Sequence, residues 1–516
     1  MKYLTKFGFI FLILVLFSLV RAAEQHPKTF SLEECVLMTI QNNLGIAVEV
    51  RNPELADIAL ARAGEKFLPS LGFGFSKRNE NSASYSWLDA SGRMITSYSD
   101  YSAQVSQLIP SGGQISISLN SFRNDTNSLF NIINPVYKST LNFQFTQPLL
   151  KDFGFRTSRK EILVARNNKR ISEQEFKSVL LDTVYQIEEA YWNLVYSIET
   201  LAVRRQSLDL AKDLLGKNQR EIDIGTLAPK EILSAQAEVA AREADILQAE
   251  AQVKDNMDRL KVLINLPAEE NITEITPSDK PAFRIKEISL EEALQMARER
   301  RPDLQVSRVE IENREIEQSY ARNQLLPDLN FDVLYWSPGI SGERLIYLDN
   351  NPLTGIVIDR IPGGISEAMK DMFKLKYKNW KVELTLSLPL NSLFSRALYA
   401  QAKVNREQAE MRLKYQEQQV ALEIATAVRA VETDYRRVLA YKVARELAEQ
   451  KLEAEESKLK AGLSTNFVVL QYQRDLANTR SMELKALIDY NLSLSRLDKA
   501  LGVSLDRWSI KISDVI

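Results

Sequence analysis

Two periodicities share this chain, in alternating blocks. In short stretches apolar and polar residues strictly take turns. Leu71, Phe73 and Phe75 alternate with Gly72, Gly74 and Ser76, and Leu141, Phe143 and Phe145 with Asn142, Gln144 and Thr146. Further on, Leu329, Phe331, Val333 and Tyr335 alternate with Asn330, Asp332 and Leu334. Trp380, Val382, Leu384, Leu386 and Leu388 alternate with Lys381, Glu383, Thr385 and Ser387. Period two predicts strands with one apolar and one polar face. Elsewhere apolar residues fall three and four apart. Val184, Ile187, Tyr191, Leu194, Ile198, Leu201 and Leu208 form one stripe, with Arg205 its single polar slot; Ile424, Val428, Val431, Tyr435 and Val438 form another. Stripes this narrow fit a coiled-coil seam better than the broad face of a globular helix.

The blocks occur twice in the same order. Ser31-Leu32-Glu33-Glu34 returns as Ser289-Leu290-Glu291-Glu292, and Leu68-Pro69-Ser70-Leu71 as Leu326-Pro327-Asp328-Leu329, both after 258 residues. Gln147-Pro148-Leu149 pairs with Leu388-Pro389-Leu390 at a spacing of 241, and Arg259-Leu260 with Arg496-Leu497 at 237. The serine–glutamate sets read as capping boxes opening helices, which Pro69 and Pro327 end. No proline occurs between Pro148 and Pro229 or after Pro389, so long helices fit there until Gly225 and Gly462 cap them in the left-handed conformation. The first repeat is then 23–266, with a helix over 31–67, a strand region over 68–148, a long helix over 157–224 and a helix over 228–265. A proline- and acid-rich linker, 267–288, leads to the second repeat, 289–516. Its parts are a helix over 289–325, a strand region over 326–389, a long helix over 396–461 and a helix over 465–502. A long helix of this kind spans on the order of 100 Å, and the two shorter ones end to end about 110 Å. Each repeat therefore pairs one long helix with two shorter ones.

Composition narrows the setting. Residues 1–22 read as an export signal: Lys2 and Lys6, an apolar run from Phe7 to Val20, and small or apolar residues before a cleavage point after Ala22. The run is short for a membrane span of roughly 20 residues. Without it, 63 basic residues face 68 acidic ones, a net charge near −5 that argues against nucleic acid as a partner. Cys35 is the only cysteine, so no intramolecular disulfide exists, and it reads as a small buried thiol packed on Phe30. His26 is the only histidine. No metal cluster, histidine-based nucleophile or glycine-rich phosphate cradle can be assembled. We therefore assign no catalytic residue, metal ligand or cofactor, and read the chain as something other than an enzyme.

Export combined with two-faced strands points to a membrane. Outside the leader no apolar run is long enough for a transmembrane helix. Four strands, two per repeat, do not close a barrel, which needs about eight, and bilayers tolerate no open sheet edges. Several copies together would close one, with apolar faces on lipid, polar faces on a water-filled lumen, and the helices projecting as a second tube. Phe73, Tyr335, Trp336 and Trp380 suit an aromatic girdle; Asn142, Gln144, Asp332 and Glu383 suit the lumen. The alternation also fits a soluble sandwich, and a pore-less periplasmic scaffold would account for the helices but not the strands.

The chain from about Phe30 to Val503 resembles the TolC-like outer membrane efflux proteins. The resemblance is carried by the Leu-Pro starts and the Gln-Pro-Leu and Leu-Pro-Leu ends of the strand regions, by Glu189-Ala190-Tyr191-Trp192-Asn193-Leu194, and by the glycine-ended tips. The tips are followed by Ile232-Leu233-Ser234-Ala235-Gln236-Ala237 and Val469-Leu470-Gln471-Tyr472-Gln473. The resemblance implies a mixed α/β membrane protein built from a duplicated helix–strands–long helix–short helix unit. It implies a homotrimer with a 12-stranded outer membrane β-barrel, four strands per subunit, above a long periplasmic coiled-coil α-barrel. It also implies a passive exit duct of a tripartite efflux or type I secretion system. The implied partners are a periplasmic adaptor (membrane fusion) protein, an inner-membrane transporter of RND, ABC or MFS type, and outer membrane lipid.

The tips Gly225, Thr226, Leu227 and Gly462, Leu463, Ser464 match the family's adaptor-contacting turns, and simple helix capping accounts for them too. The family closes its periplasmic aperture partly with acidic side chains six and nine residues after the second glycine. Here those positions are Val468 and Gln471, which leaves Glu231 in the first repeat as the nearest acidic equivalent, itself also a solvated first-turn carboxylate. Two stretches exceed a plain hairpin. Residues 102–122 alternate around Pro110-Ser111-Gly112-Gly113 as an additional hairpin, which enlarges the barrel, folds over it or lines its mouth. Residues 337–379 form an excursion with an amphipathic stretch from Ser366 to Tyr377, a surface loop or a plug.

Overall fold

The computed structural model describes residues 28–84, 92–128, 131–225, 230–266, 274–285, 288–512 and 515. The expected export signal, Thr226, Leu227 and part of the expected linker lie outside them. In chain order come strand β1 (Lys28–Phe30), helices α1 (Leu32–Asn42), α2 (Leu44–Glu49) and α3 (Arg51–Gly64), and strands β2 (Ser70–Ala83), β3 (Arg93–Leu108), β4 (Gln114–Thr126) and β5 (Ile133–Pro148). Helices α4 (Lys160–Asp223) and α5 (Lys230–Ile264) complete the first repeat, and strand β6 (Ile275–Pro277) lies in the linker. The second repeat has helices α6 (Leu290–Arg300) and α7 (Pro302–Asn323), strands β7 (Asp328–Tyr347) and β8 (Val357–Ile361), helix α8 (Ile365–Phe373), strand β9 (Asn379–Ser387), and helices α9 (Leu393–Lys460) and α10 (Asn466–Leu501). Two compact units form: Met1–Pro53 with Ser172–Val306 and Leu413–Ile516, and Glu54–Ile171 with Ser307–Arg412.

The first unit is helical. Val184, Ile187, Tyr191 and Leu194 of α4 are buried with Cys35 and Val36 of α1 and Leu260 and Ile264 of α5. The second repeat builds the matching core from Ala293 and Ala297 of α6, Ile424 and Val431 of α9, and Tyr490, Leu497 and Leu501 of α10. Arg205, the polar slot of the α4 stripe, reaches outward to Glu250 at 2.8 Å. Ser31 caps α1 with the reciprocal Glu34 bond, and Ser289 accepts from the Glu292 N–H at the start of α6. β1 and β6 pair in parallel, and the Tyr191 hydroxyl accepts from the Asp279 N–H at 3.1 Å beside them.

The opening helices expected to run unbroken over 31–67 and 289–325 are each divided. The breaks fall at equivalent places: Asn43 and Arg301 are both extended, with φ −65° and ψ 123°, and φ −68° and ψ 125°. At Arg301 the cause is Pro302, whose ring disfavours helical backbone in the residue before it. At Asn43 the side chain caps α2, accepting from the N–H groups of Gly45 and Ile46. Each side chain also donates to a carbonyl near the end of the repeat's last helix, Asn43 to Leu263 at 2.8 Å and Arg301 to Ala500 at 3.0 Å. Arg301 adds Asp303 and Glu423, both at 2.8 Å, and Gln416 donates to Asp303 at 2.9 Å. Burial alone would raise the Asp303 carboxyl, but Arg301 outweighs it and holds that group below its ordinary value.

The second unit holds one antiparallel sheet, ordered β2-β3-β4-β5-β7, with β8 and β9 both pairing β7. The expectation of two strands per repeat is corrected here. The first repeat contributes four long strands, because the extra hairpin, β3 and β4, is inserted between β2 and β5 and hydrogen-bonds to both. The strand ends nearest the helices share one rim, with Ser70 opposite Ser106, Gln114 opposite Thr146, Pro148 opposite Asn330 and Asp328 opposite Ser387.

Candidate channel wall and helix tips

Register decides which side chains share a face, because directly paired residues project to the same side of a sheet. One row runs Leu71, Val105, Ile117, Phe143, Tyr335, Trp380 across six strands. The next runs Phe73, Ala103, Leu119, Leu141, Ser337. The first row is mostly open, with Leu71 64% exposed and Trp380 71%; in the second Phe73 is 78% exposed, Ala103, Leu119 and Leu141 are half-buried, and Ser337 is buried. A face of aromatic and branched residues left bare this widely has no place in water and suits a hydrocarbon boundary. Phe73, Tyr335 and Trp380 lie on it as expected. Trp336 does not. It follows Tyr335 in an extended strand, and its register partner Asn142 puts it on the opposite, polar face.

That polar face collects Asn142, Gln144, Asp332 and Glu383. Thr146 donates to Asp332 at 2.5 Å, Asn142 to Ser118 at 3.1 Å, and Lys381 pairs with Glu383 at 2.6 Å. The hairpin adds Ser102, Gln104, Ser116, Ser118 and Asn120. Their alternation was readable; their membership of this face required the register of β3 against β2.

The 337–379 excursion extends β7, forms β8, and returns through α8. Helix α8 lies on the apolar side, over Ser121, Ser139 and Gly339, and its Ile365 and Met369 share a groove with Phe73, Ala103 and Leu119 of the second row. Gly339 is required there, since a Cβ would collide with the Ala368 carbonyl of α8. The helix is therefore seated on the apolar face and not on the polar one.

The tips are glycine turns. Gly225 and Gly462 have φ of 77° and 75°, and the Gly462 and Leu463 N–H groups bond back to Leu459 and Lys458 at 3.0 and 2.9 Å. Leu463 is 79% exposed, as are Ile224 at 74% and Phe467 at 62%. Ser464 donates to Glu455 at 2.5 Å and Lys458 reaches the same carboxylate at 3.0 Å, which holds Glu455 below its ordinary pKa. On the first turns of α10, Val468 is half-buried and Gln471 exposed. Thr226 and Leu227 lie outside the described residues, and the Glu231 side chain is not described either.

Behind the tips sits a cluster that sequence patterning missed. Leu208 and Leu214 of α4, Ala235 and Val239 of α5, Leu452 of α9, and Val469 and Leu470 of α10 pack as one core. Buried in it, Arg242 bonds Glu238 at 2.9 Å, the Ser207 carbonyl at 2.5 Å and the Leu470 carbonyl at 3.3 Å, while Arg474 clamps Glu238 from α10. Burial alone would raise Glu238, yet the two guanidiniums hold it below its ordinary value. The i, i+4 spacing of Glu238 and Arg242 was visible in the sequence, but it is the spacing of ordinary solvated helix pairs.

The chain thus combines a sheet with a bare apolar face, two helical repeats and paired glycine tips. The profile of the family described as outer membrane efflux protein matches residues 51–266 and 293–503. The chain belongs to this family. Among solved structures, this efflux protein is similar to the Campylobacter jejuni CmeC outer membrane channel, at 16% identity and a TM-score of 0.63, over 94% of this chain and 90% of that one. It is also similar to the Vibrio cholerae outer membrane protein VceC (15%, TM-score 0.62, 91% and 96%). The open state of the Neisseria gonorrhoeae MtrE channel is a third (16%, TM-score 0.61, 92% and 89%). The chain matches none of the curated proteins. This efflux protein is thus an outer membrane protein. Among the described residues no helix is long and apolar enough to cross a membrane.

Proposed function

We propose that three copies of this chain form one passive duct from the periplasm to the exterior, docked by its helix tips on a periplasmic adaptor and an inner-membrane transporter. The observation that carries this reading is the sheet itself. It has lipid-suited and water-suited faces, but among the described residues β2 pairs only with β3 and β9 only with β7, so both outer edges are open. An edge cannot persist in a bilayer, and further copies are the simplest closure. The polar face with Asn142, Gln144, Asp332 and Glu383 then lines the lumen, and Phe73, Tyr335 and Trp380 meet lipid. The exposed Leu463 and Phe467 supply an apolar docking turn, with Thr226 and Leu227 their first-repeat counterparts. Val468, Gln471 and Glu231 lie at the periplasmic aperture. The same reading makes the chain a conduit and no enzyme, in line with its single histidine and single cysteine.

The test places a photo-crosslinking amino acid at Leu463 in cells carrying the native pump. Capture of a periplasmic adaptor, identified by mass spectrometry, is the expected result. A tip that captures no adaptor overturns the docking, and recovery of the protein from the soluble periplasm overturns the duct.

A further inference from the structure

The β3–β4 hairpin is an integral part of the sheet. Both strands are long, at 16 and 13 residues, and fully registered with their neighbours. Both are two-faced in the same sense as the flanking strands, with Tyr101, Ala103, Val105, Ile115, Ile117 and Leu119 on the apolar side. The turn between them is fastened to the helix-side rim. Ser111 donates to Gln147 at 2.8 Å, the Gly154 N–H donates to the Ser111 carbonyl at 2.9 Å, and Ser158 donates to the Pro110 carbonyl. Gly112, at φ 95°, lies against the Asp152 carbonyl where no Cβ fits. A flap folded over the mouth would share none of this.

We infer that each chain contributes six long strands, β2-β3-β4-β5-β7-β9, and that three copies close an eighteen-stranded barrel. The inference rests on the three-copy reading above. Its polarity is self-consistent. Successive strands alternate in direction, so β2 and β9 run oppositely, and β2 of one copy meets β9 of the next as an antiparallel pair without a break in the ladder. Head-to-tail contacts of this kind close into a ring. Eighteen strands about 4.8 Å apart and tilted about 40° give a circumference of about 110 Å and a backbone diameter of about 36 Å. Twelve strands give about 75 Å and about 24 Å by the same geometry. At the larger size side chains no longer fill the interior and an aqueous channel remains. The added lumen surface is polar, with Ser102, Gln104, Ser116, Ser118 and Asn120 and, on the same face, the Asp100 carboxylate bonded to Ser76.

Cryo-electron microscopy of the full chain purified from outer membranes tests this directly. The expected map has three copies and eighteen wall strands, about 1.5-fold more girth than a twelve-stranded wall. Three copies around twelve strands, with β3 and β4 outside the wall, overturn the inference and leave the duct reading standing. A particle without a closed barrel overturns both.

Discussion

The two repeats agree in their helices and part company in their strands. In the helical unit the correspondence extends to single atoms: Asn43 and Arg301 break equivalent helices and donate to the equivalent carbonyls of Leu263 and Ala500. Asn265 and Gly502, which follow those carbonyls, both take positive φ, at 47° and 75°. In the sheet the first repeat supplies four long strands and the second two, plus β8 and α8. The difference follows from what each region must satisfy. Helix columns pack side chain against side chain around shared cores, so an unmatched helix would leave apolar surface bare. A barrel wall accepts whole antiparallel hairpins at its ladder, because each new strand satisfies the edge it covers and presents an equivalent one.

That contrast can be broken at its joints. Arg301→Ala should be the most damaging change, because it leaves Asp303 half-buried beside Glu423 without its cation; about 2 kcal/mol is expected, below the usual loss for a fully buried pair because Gln416 and the Leu304 N–H still serve Asp303. Asn43→Ala removes a neutral cap at the equivalent joint and should cost about 1 kcal/mol. Thermal unfolding followed by circular dichroism ranks the two; equal losses would mean that the joints do not differ as their chemistry says. Glu238→Gln should cost about 1–2 kcal/mol at neutral pH through its buried pairing with Arg242 and Arg474. The Glu238 carboxyl is depressed in the folded state, so its contribution is complete above its unfolded value near 4.5 and fades as pH falls through the folded value. The gap in melting temperature between the parent and Glu238→Gln should therefore shrink on acidification below about pH 4.5. A gap independent of pH would remove the charge from the explanation. The smallest effect concerns Cys35. Burial, with Glu34 and Asp279 adding to it, pushes its thiol up to about 12, so maleimide should label it only after unfolding. Rapid labelling of the folded protein would contradict the packing around α1.

The duplicated order, the strand and long-helix ranges, and the polar and apolar faces were legible because each rests on a short-range period. Pro302 was a legible stop as well, but the 3.6-residue pattern on both sides of it suggests one continuous helix. Asn43 left no such mark, since its role depends on a carbonyl 220 residues away. Trp336 was misassigned through its aromatic character, although period two already separates it from Tyr335. The hairpin's alternation was plain, whereas its place between β2 and β5 was not, because register belongs to the partners of a strand and not to the strand. The Glu238–Arg242–Arg474 cluster was hidden for a related reason: Arg474 is 236 residues from Glu238, and only the packed tips bring them together.

The central claim is that the edges left open in one chain are closed by another. Cysteines placed on β2 at Gly72 and on β9 at Lys381, Glu383 or Thr385 test it in native membranes with a short bis-maleimide, since Cys35 stays silent. The account predicts covalent ladders reaching three copies for at least one β9 position, with no product from either cysteine alone. Pairs that yield only monomers at every β9 position would contradict it.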